Sequence, residues 1–512
     1  MRERRSGDLL KRTAAAVIAM AAVSSCIYTP AAGAVSSVQT AGEEVPASID
    51  NADVETEQEE TSQPAEEPDI QDTTSPDEPP VEEPLPEDVF QYEDTEEGAV
   101  ITGYTSSDEN VVIPAEIDGK TVVAVGDNAF AENEDITSVE FPETVISIGE
   151  NAFKACSGLE SITIPANVKT IAAGAFAKCF FLKEVTLSEG VESIGKGAFD
   201  GIPIAGITIP ASLKSAESPF TGCKSLKTVN FAEGVKTIPG SGNQEEPTGG
   251  LFSGCPGLTA VELPEGIEVI GDCAFSGCDK LTELILPSTL RKINYRAFYG
   301  CKSLRAVEIP AGVSVLESEC FADCRVLYDV KLNEGLTELG VRAFANDPVK
   351  EVYIPVSLES AEAPFYHCGN LNSVTFGEGI KRIPSVHTDI LNKYGLFAYC
   401  SGIREITIPE GVEQIDTGAF RNCTSLVTVN VPESLTSMGD YAFADCPRLQ
   451  NLNGGIIKIY ANTFLNCTMF KDEIWILPDG SEEFCPNPER RFGDRNAAGA
   501  TCGLCVLLKP IA

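Results

Sequence analysis

From Gly98 onward the hydrophobic positions recur on a long fixed beat. Phenylalanines stand at 130, 153, 176, 199, 220, 252, 275, 298, 321, 344, 365, 397, 420, 443 and 464, with a modal spacing of 23. One unit reads Phe153, Cys156, Leu159, Ile162, Ile164-Pro165, Val168, Ile171, Ala175-Phe176. Its stretch around Ile162 and Ile164 alternates as a half-buried strand does, with Ser161 and Thr163 outward, and Pro165 ends it. A unit of this size cannot bury its apolar face alone, so consecutive units must stack. The pattern predicts a repeat solenoid of about fifteen coils, with short parallel strands on one side and turns or irregular coil on the other. Phe153, Phe176, Phe275 and Phe298 belong to its aromatic spine, and nine of the fifteen phenylalanines follow an alanine small enough to sit beneath a ring. Four residues before Phe, Gly, Asn or Asp recurs in eight of the ten regular coils, as at Gly149 and Asn294. The expectation is a corner that demands positive φ there.

Twelve of the eighteen cysteines fall three residues after a repeat phenylalanine, among them Cys156, Cys179, Cys278 and Cys301. This is the small, weakly polar column inside a leucine-rich-repeat coil, so these are read as buried free thiols. Disulfides between neighbouring coils would need pairing along a column whose pitch, about 4.8 Å, only marginally suits a bridge. His367-Cys368 looks like a thiol-protease pair, yet Cys368 belongs to the buried column. Cys485, Cys502 and Cys505 lie in a Pro/Arg/Gly-rich tail, one ligand short of a structural zinc site; a disulfide-stapled cap and free thiols are the other readings.

The unit, with the entry segment Val112-Ile113-Pro114-Ala115-Glu116-Ile117-Asp118-Gly119-Lys120, resembles the BspA-like leucine-rich-repeat family of secreted or surface-displayed bacterial proteins. The resemblance implies a role in adhesion, with host matrix proteins or another microbe's surface as partners. It brings no catalytic residues.

A second, longer period crosses the first. The spacings 21 and 32 that separate Phe199, Phe220 and Phe252 return between Phe344, Phe365 and Phe397, each 145 residues later. Six coils are duplicated. Each copy carries an insertion, Pro239–Gly250 and Pro384–Gly395, and these loops should leave one edge about 30 Å apart. The second, with His387, Ile390, Leu391 and Tyr394, holds apolar side chains that have no place in the repeat and is the stronger binding candidate. On the strand face the outward residues are mostly Ser, Thr, Glu and Asn. Asp329 and Lys331 beside Glu351 and Tyr353 make the one patch with the mixed character of a protein contact.

Composition narrows the function. The chain has 512 residues, 43% of them hydrophobic, and a net charge of −40, a field that opposes nucleic acid. Two histidines leave little material for acid/base or metal chemistry, so no enzyme activity, cofactor or metal is expected. The charge is uneven. Residues 41–98 hold 22 acidic residues, 8 prolines and no Lys or Arg, which cannot support a core. Residues 1–34 carry Arg2, Arg4, Arg5, Lys11 and Arg12 before an apolar run, the form of a secretory signal peptide. Cleavage reads either after Ala34 or at a lipobox ending in Cys26, whose thiol would then be lipidated. No later apolar stretch is long enough to span a bilayer.

The expected organisation is thus a signal peptide at 1–34, a disordered acidic linker at 35–98, a solenoid at 99–475 and a cap or tail at 476–512. The expected function is an exported protein-binding module, secreted or at the cell surface. A structural envelope component or released effector without catalytic activity is the alternative.

Overall fold

In the computed structural model the described residues are 89–240, 249–385, 394–454, 457–460 and 462–470, with further strands at Glu473–Ile476, Glu482–Cys485 and Cys505–Leu507. The leader, Cys26, the linker as far as residue 88, and His387, Ile390 and Leu391 lie outside them.

The chain folds into a stacked series of about fifteen turns, about 23 residues apart. Each regular turn offers three rows of inter-coil hydrogen bonds. The first is the alternating strand, as where Ser161–Ile164 pairs in parallel with Glu184–Leu187. The second is a two-residue strand, as where Ser147–Ile148 pairs with Thr170–Ile171. The third runs through the corner around each phenylalanine, where Asn151, Phe153 and Ala155 donate to the carbonyls of Ala173, Ala175 and Ala177. Every second amide of the corner is thus satisfied by the next coil.

Inside, the phenylalanine rings from Phe130 to Phe464 stack with centroids 4.8 to 6.1 Å apart and planes within 24° of parallel. All twelve column thiols are buried and free, and each donates to the carbonyl of a phenylalanine in the coil behind, at 3.0 to 3.4 Å. Burial pushes the Cys156, Cys179, Cys223 and Cys278 thiols up to about 12, so they remain protonated donors.

The glycines four residues before Phe have a different cause from the one expected. Gly149 is absent from the positive-φ positions, whereas a Cβ there would stand 2.6 Å from the Gly126 carbonyl carbon in the coil behind. Close approach of coils selects glycine at that place. The left-handed backbone falls instead two residues before and two after the ring, as at Asn128 and Glu132, or Asn151 and Ala155. Most side chains at these two places are at least partly exposed, whereas Ser218, Cys273 and Ala363 are buried.

The folded unit also begins earlier than Gly98. Phe90–Asp94 pairs antiparallel with Ala99–Tyr104, which pairs in parallel with Lys120–Val125. Phe90 lies 5.2 Å from Tyr104, and Tyr104 lies 5.3 Å from Phe130, closing the first end of the ring stack. The apolar alternation of Phe90 and Tyr92 belongs to this first strand. At the other end Cys505–Leu507 pairs antiparallel with Ile457–Ile459 and with Glu473–Ile476, so an antiparallel strand covers each end of the parallel array.

The two insertions interrupt the stack at equivalent steps. Ring separation is widest from Phe220 to Phe252, 5.9 Å, and from Phe365 to Phe397, 6.1 Å. The short-strand row breaks at the same steps, between Ser215–Ala216 and Thr237–Ile238 and between Ser360–Ala361 and Arg382–Ile383. Phe231 and Phe376 pack edge-on to Phe252 and Phe397 beside these openings.

Candidate recognition surface

The outward corner positions of the second copy gather side chains unlike those of the first. Tyr366 and His367 follow Phe365, Tyr399 follows Phe397, and Tyr394 sits where the second insertion returns to the coil. Tyr366 packs 4.7 Å from Tyr399 and 4.3 Å from His367, and His367 lies 5.0 Å from Tyr399. Tyr394 packs 5.3 Å from Tyr399, and the two hydroxyls are 3.4 Å apart. A guanidinium closes each side. Arg342 stands 4.6 Å over the Tyr366 ring, and Arg421 stands 5.0 Å from both Tyr394 and Tyr441 while its Nε donates to Asp445 at 3.2 Å. The result is a continuous ridge across five adjacent corners, from the Phe344 coil to the Phe443 coil.

Three members of the ridge, Arg342, His367 and Tyr399, adopt φ of 56°, 60° and 66°. The residues 145 positions earlier are Gly197, Gly222 and Gly254, with φ of 60°, 73° and 68°. Glycine occupies such a backbone freely, whereas a side chain there costs about 1–2 kcal/mol. Thr221, Gly249 and Ser276 stand where the second copy has Tyr366, Tyr394 and Arg421. Half-burial among its neighbours raises the Tyr366 hydroxyl, with Arg342 pulling the other way, and the same desolvation followed by the Arg342 charge lowers His367. The imidazole is therefore neutral at physiological pH, suited to ring contact.

The residues that lead into the second insertion are held by a clamp. The buried Asp416 carboxylate accepts from Arg382 Nε at 2.7 and 2.8 Å and from the Ser385 amide at 3.0 Å. The first copy has Gly271, Thr237 and Gly240 at these positions and lacks the clamp. Beside the opened step lies a groove of about 850 Å³ whose lining includes Lys350, Asn372, Ser401 and Arg404.

The strand-face residues lie apart from the ridge. Asp329 is in register with Glu351, and Lys331 pairs with Glu308 at 3.2 Å between well-exposed partners, a contact worth little. The Tyr353 hydroxyl donates to Glu334, which also accepts from the Val356 amide at 3.2 Å. Of the four loop residues expected to bind, Tyr394 alone is described, and it belongs to the ridge. Tyr366, His367, Tyr399, Arg342 and Arg421 were not anticipated as a group, since 21 to 32 residues separate neighbouring corners. The signal that could have found them is the 145-residue offset, which aligns glycines with aromatic and cationic residues. Among the described residues no group of three or more His, Cys, Asp or Glu side chains could hold a metal, and no helix is long and apolar enough to cross a membrane.

Comparison with known proteins returns a consistent answer. Residues 104–219, 249–363 and 391–480 match six copies of the BspA type leucine-rich-repeat region. A leucine-rich-repeat protein of Bacteroides ovatus of known crystal structure is 30% identical over 71% of this chain and 92% of its own, with a TM-score of 0.54. A leucine-rich cell surface protein of Faecalibacterium prausnitzii is 25% identical over 72% of this chain and 93% of its own, with a TM-score of 0.35. Among curated proteins no match is found.

Proposed function

The chain belongs to the BspA-type leucine-rich-repeat family, and from that membership and the ridge we propose that it is an exported module for recognising proteins at the cell surface. The observation that carries the reading is the difference between duplicated coils. The second copy bears Arg342, His367 and Tyr399 on a strained backbone where the first has relaxed glycine. Tyrosine and arginine supply large rigid contact area and directed donors, the residue types that dominate the energy of protein interfaces. The partner is an extracellular protein, of a host matrix or of another microbe, and its class is adhesion or recognition. The clamped second insertion, with His387, Ile390 and Leu391, extends the same contact beyond Tyr394, and the strand-face patch of Asp329, Lys331, Glu351 and Tyr353 is a separate, weaker candidate. Residues 1–34 act as the export signal in this reading, and Cys26 is the site of lipid attachment if the lipobox is used.

The test returns the second copy to the first. Arg342→Gly, His367→Gly and Tyr399→Gly are combined in the full chain, and binding is measured to purified matrix proteins and to whole bacterial cells. Loss of about tenfold or more in affinity is expected, the scale of one lost hot-spot contact. Binding that survives unchanged sends the search to the strand face, and no binding to any partner favours the envelope-component alternative.

A further inference from the structure

The column of thiols is broken at one place inside the second copy, immediately behind the ridge. Three residues after Phe344 the chain has Asp347, which is 1% exposed and has no hydrogen-bond partner on either carboxyl oxygen. In the neighbouring coils the same position holds Cys324 and Cys368, each donating to a phenylalanine carbonyl. An ionised carboxylate cannot donate and carries a charge that no neighbour pairs at this buried position. The first copy solves the same position with Ile202, which is fully buried.

We infer that Asp347 is a proton-dependent joint: the neutral acid lets the coil from Phe344 to Phe365 close, and loss of its proton loosens that coil. The groups facing it are Cys320, Cys324 and Asp323 from the coil behind and Cys368 from the coil ahead. None is a cation. Asp347 shares the lining of a 360 Å³ cavity with Asp323, Arg325 and His367, and Asp323 already accepts from Asn346 at 3.2 Å. No ion pair involves Asp347 among the described residues. Burial, followed by the Cys324 thiol, holds the carboxyl well above the ordinary carboxylate range, against an opposing pull from the Cys324 amide, which faces it without completing a hydrogen bond.

The direction of the effect follows from linkage. In the open coil Asp347 ionises near the ordinary value of about 3.9, whereas in the closed coil it keeps its proton to a higher pH. Closure is therefore strongest below that ordinary value and weakens as pH rises toward the closed-state value. Within that window each pH unit multiplies the open population about tenfold, one proton being released on opening. Arg342 and His367 stand on the corners at the two ends of this coil, so the joint sets how rigidly the ridge is presented. That consequence rests on the ridge reading; the joint itself does not.

The experiment follows hydrogen exchange of residues 344–368 in the full-length protein across about pH 5 to 8, corrected for intrinsic exchange, with Asp347→Ile and Asp347→Asn alongside. Protection in the native chain should fall as pH rises, by up to about tenfold per unit, and should be flat in both variants. A native-minus-Asn infrared difference should show a carboxyl that is still protonated at about pH 5, above the ordinary carboxylate range, a readout independent of how the isoleucine variant folds. A carboxylate band already present at about pH 5, or the same pH dependence in native chain and variants, overturns the joint. Failure of every partner to bind would remove the ridge reading while leaving these results intact.

Discussion

The two copies of the duplicated coils share an interior and differ at their outer corners. Phe199 and Phe220 stack at 5.5 Å and their counterparts Phe344 and Phe365 at 5.6 Å, and the opened steps that follow measure 5.9 and 6.1 Å. Phe231 and Phe376 meet the stack edge-on at 6.4 and 6.3 Å. Cys223 and Cys368 donate to Phe199 and Phe344 alike. Stacking ties each inward side chain to two neighbouring coils, so a change there is resisted from both sides. Outward corner residues meet solvent and one another, and there the second copy has exchanged glycine for tyrosine, histidine and arginine. Asp347 against Ile202 and the buried Asp416 against Gly271 are inward exceptions.

The largest test of this comparison removes a ring from each copy. Phe220→Ala and Phe365→Ala should each cost about 3–5 kcal/mol, as should Phe298→Ala in mid-array, because each ring is fully buried between two others. Denaturant unfolding of the full chain measures the loss. Equal costs are expected in the two copies; a difference of more than about 1 kcal/mol would mean that the second framework is not the first with a new surface.

The next effect has the opposite sign. Asp347→Ile copies the solution at position 202 into the second copy and should stabilise it by about 1–3 kcal/mol at neutral pH, the usual penalty of an unsatisfied buried polar group. The gain should shrink toward about pH 4, where the native acid is neutral in open and closed coils alike. A gain that grows on acidification would reverse the assignment.

The interior was the legible part of the sequence. Ring periodicity, the thiol column and the 145-residue offset each follow from a repeating constraint, and the stacked rings and thiol hydrogen bonds display those constraints directly. The corner was misread because glycine has two uses. At Gly149 it admits a neighbouring backbone, while the left-handed turns lie two residues to either side of the ring and accept Asn, Lys or Arg as well as Gly. The start near Phe90 was hidden because two apolar residues in an acidic tract give a weak strand signal. The ridge escaped because its members are remote in sequence and none belongs to the hydrophobic pattern. Only coil stacking brings Tyr366, His367 and Tyr399 together.

The smallest expected effect is the most discriminating. Gly222→His and Gly254→Tyr would place side chains of the second copy on the left-handed corners of the first, where no tyrosine stands at 221 or 249 to receive them. Each should cost about 1–2 kcal/mol of backbone strain. The reverse changes, His367→Gly and Tyr399→Gly, release similar strain but remove ring contacts worth about 0.5–1.5 kcal/mol apiece and add the chain entropy of glycine. These terms nearly cancel, so the reverse variants should unfold within about 1 kcal/mol of the native protein. Their stability would stay level while binding falls, which separates a surface kept for contact from one kept for folding. If His367→Gly and Tyr399→Gly destabilise the chain as much as a lost core ring, the tyrosines are structural mortar and the corner difference between the copies has nothing to do with a partner.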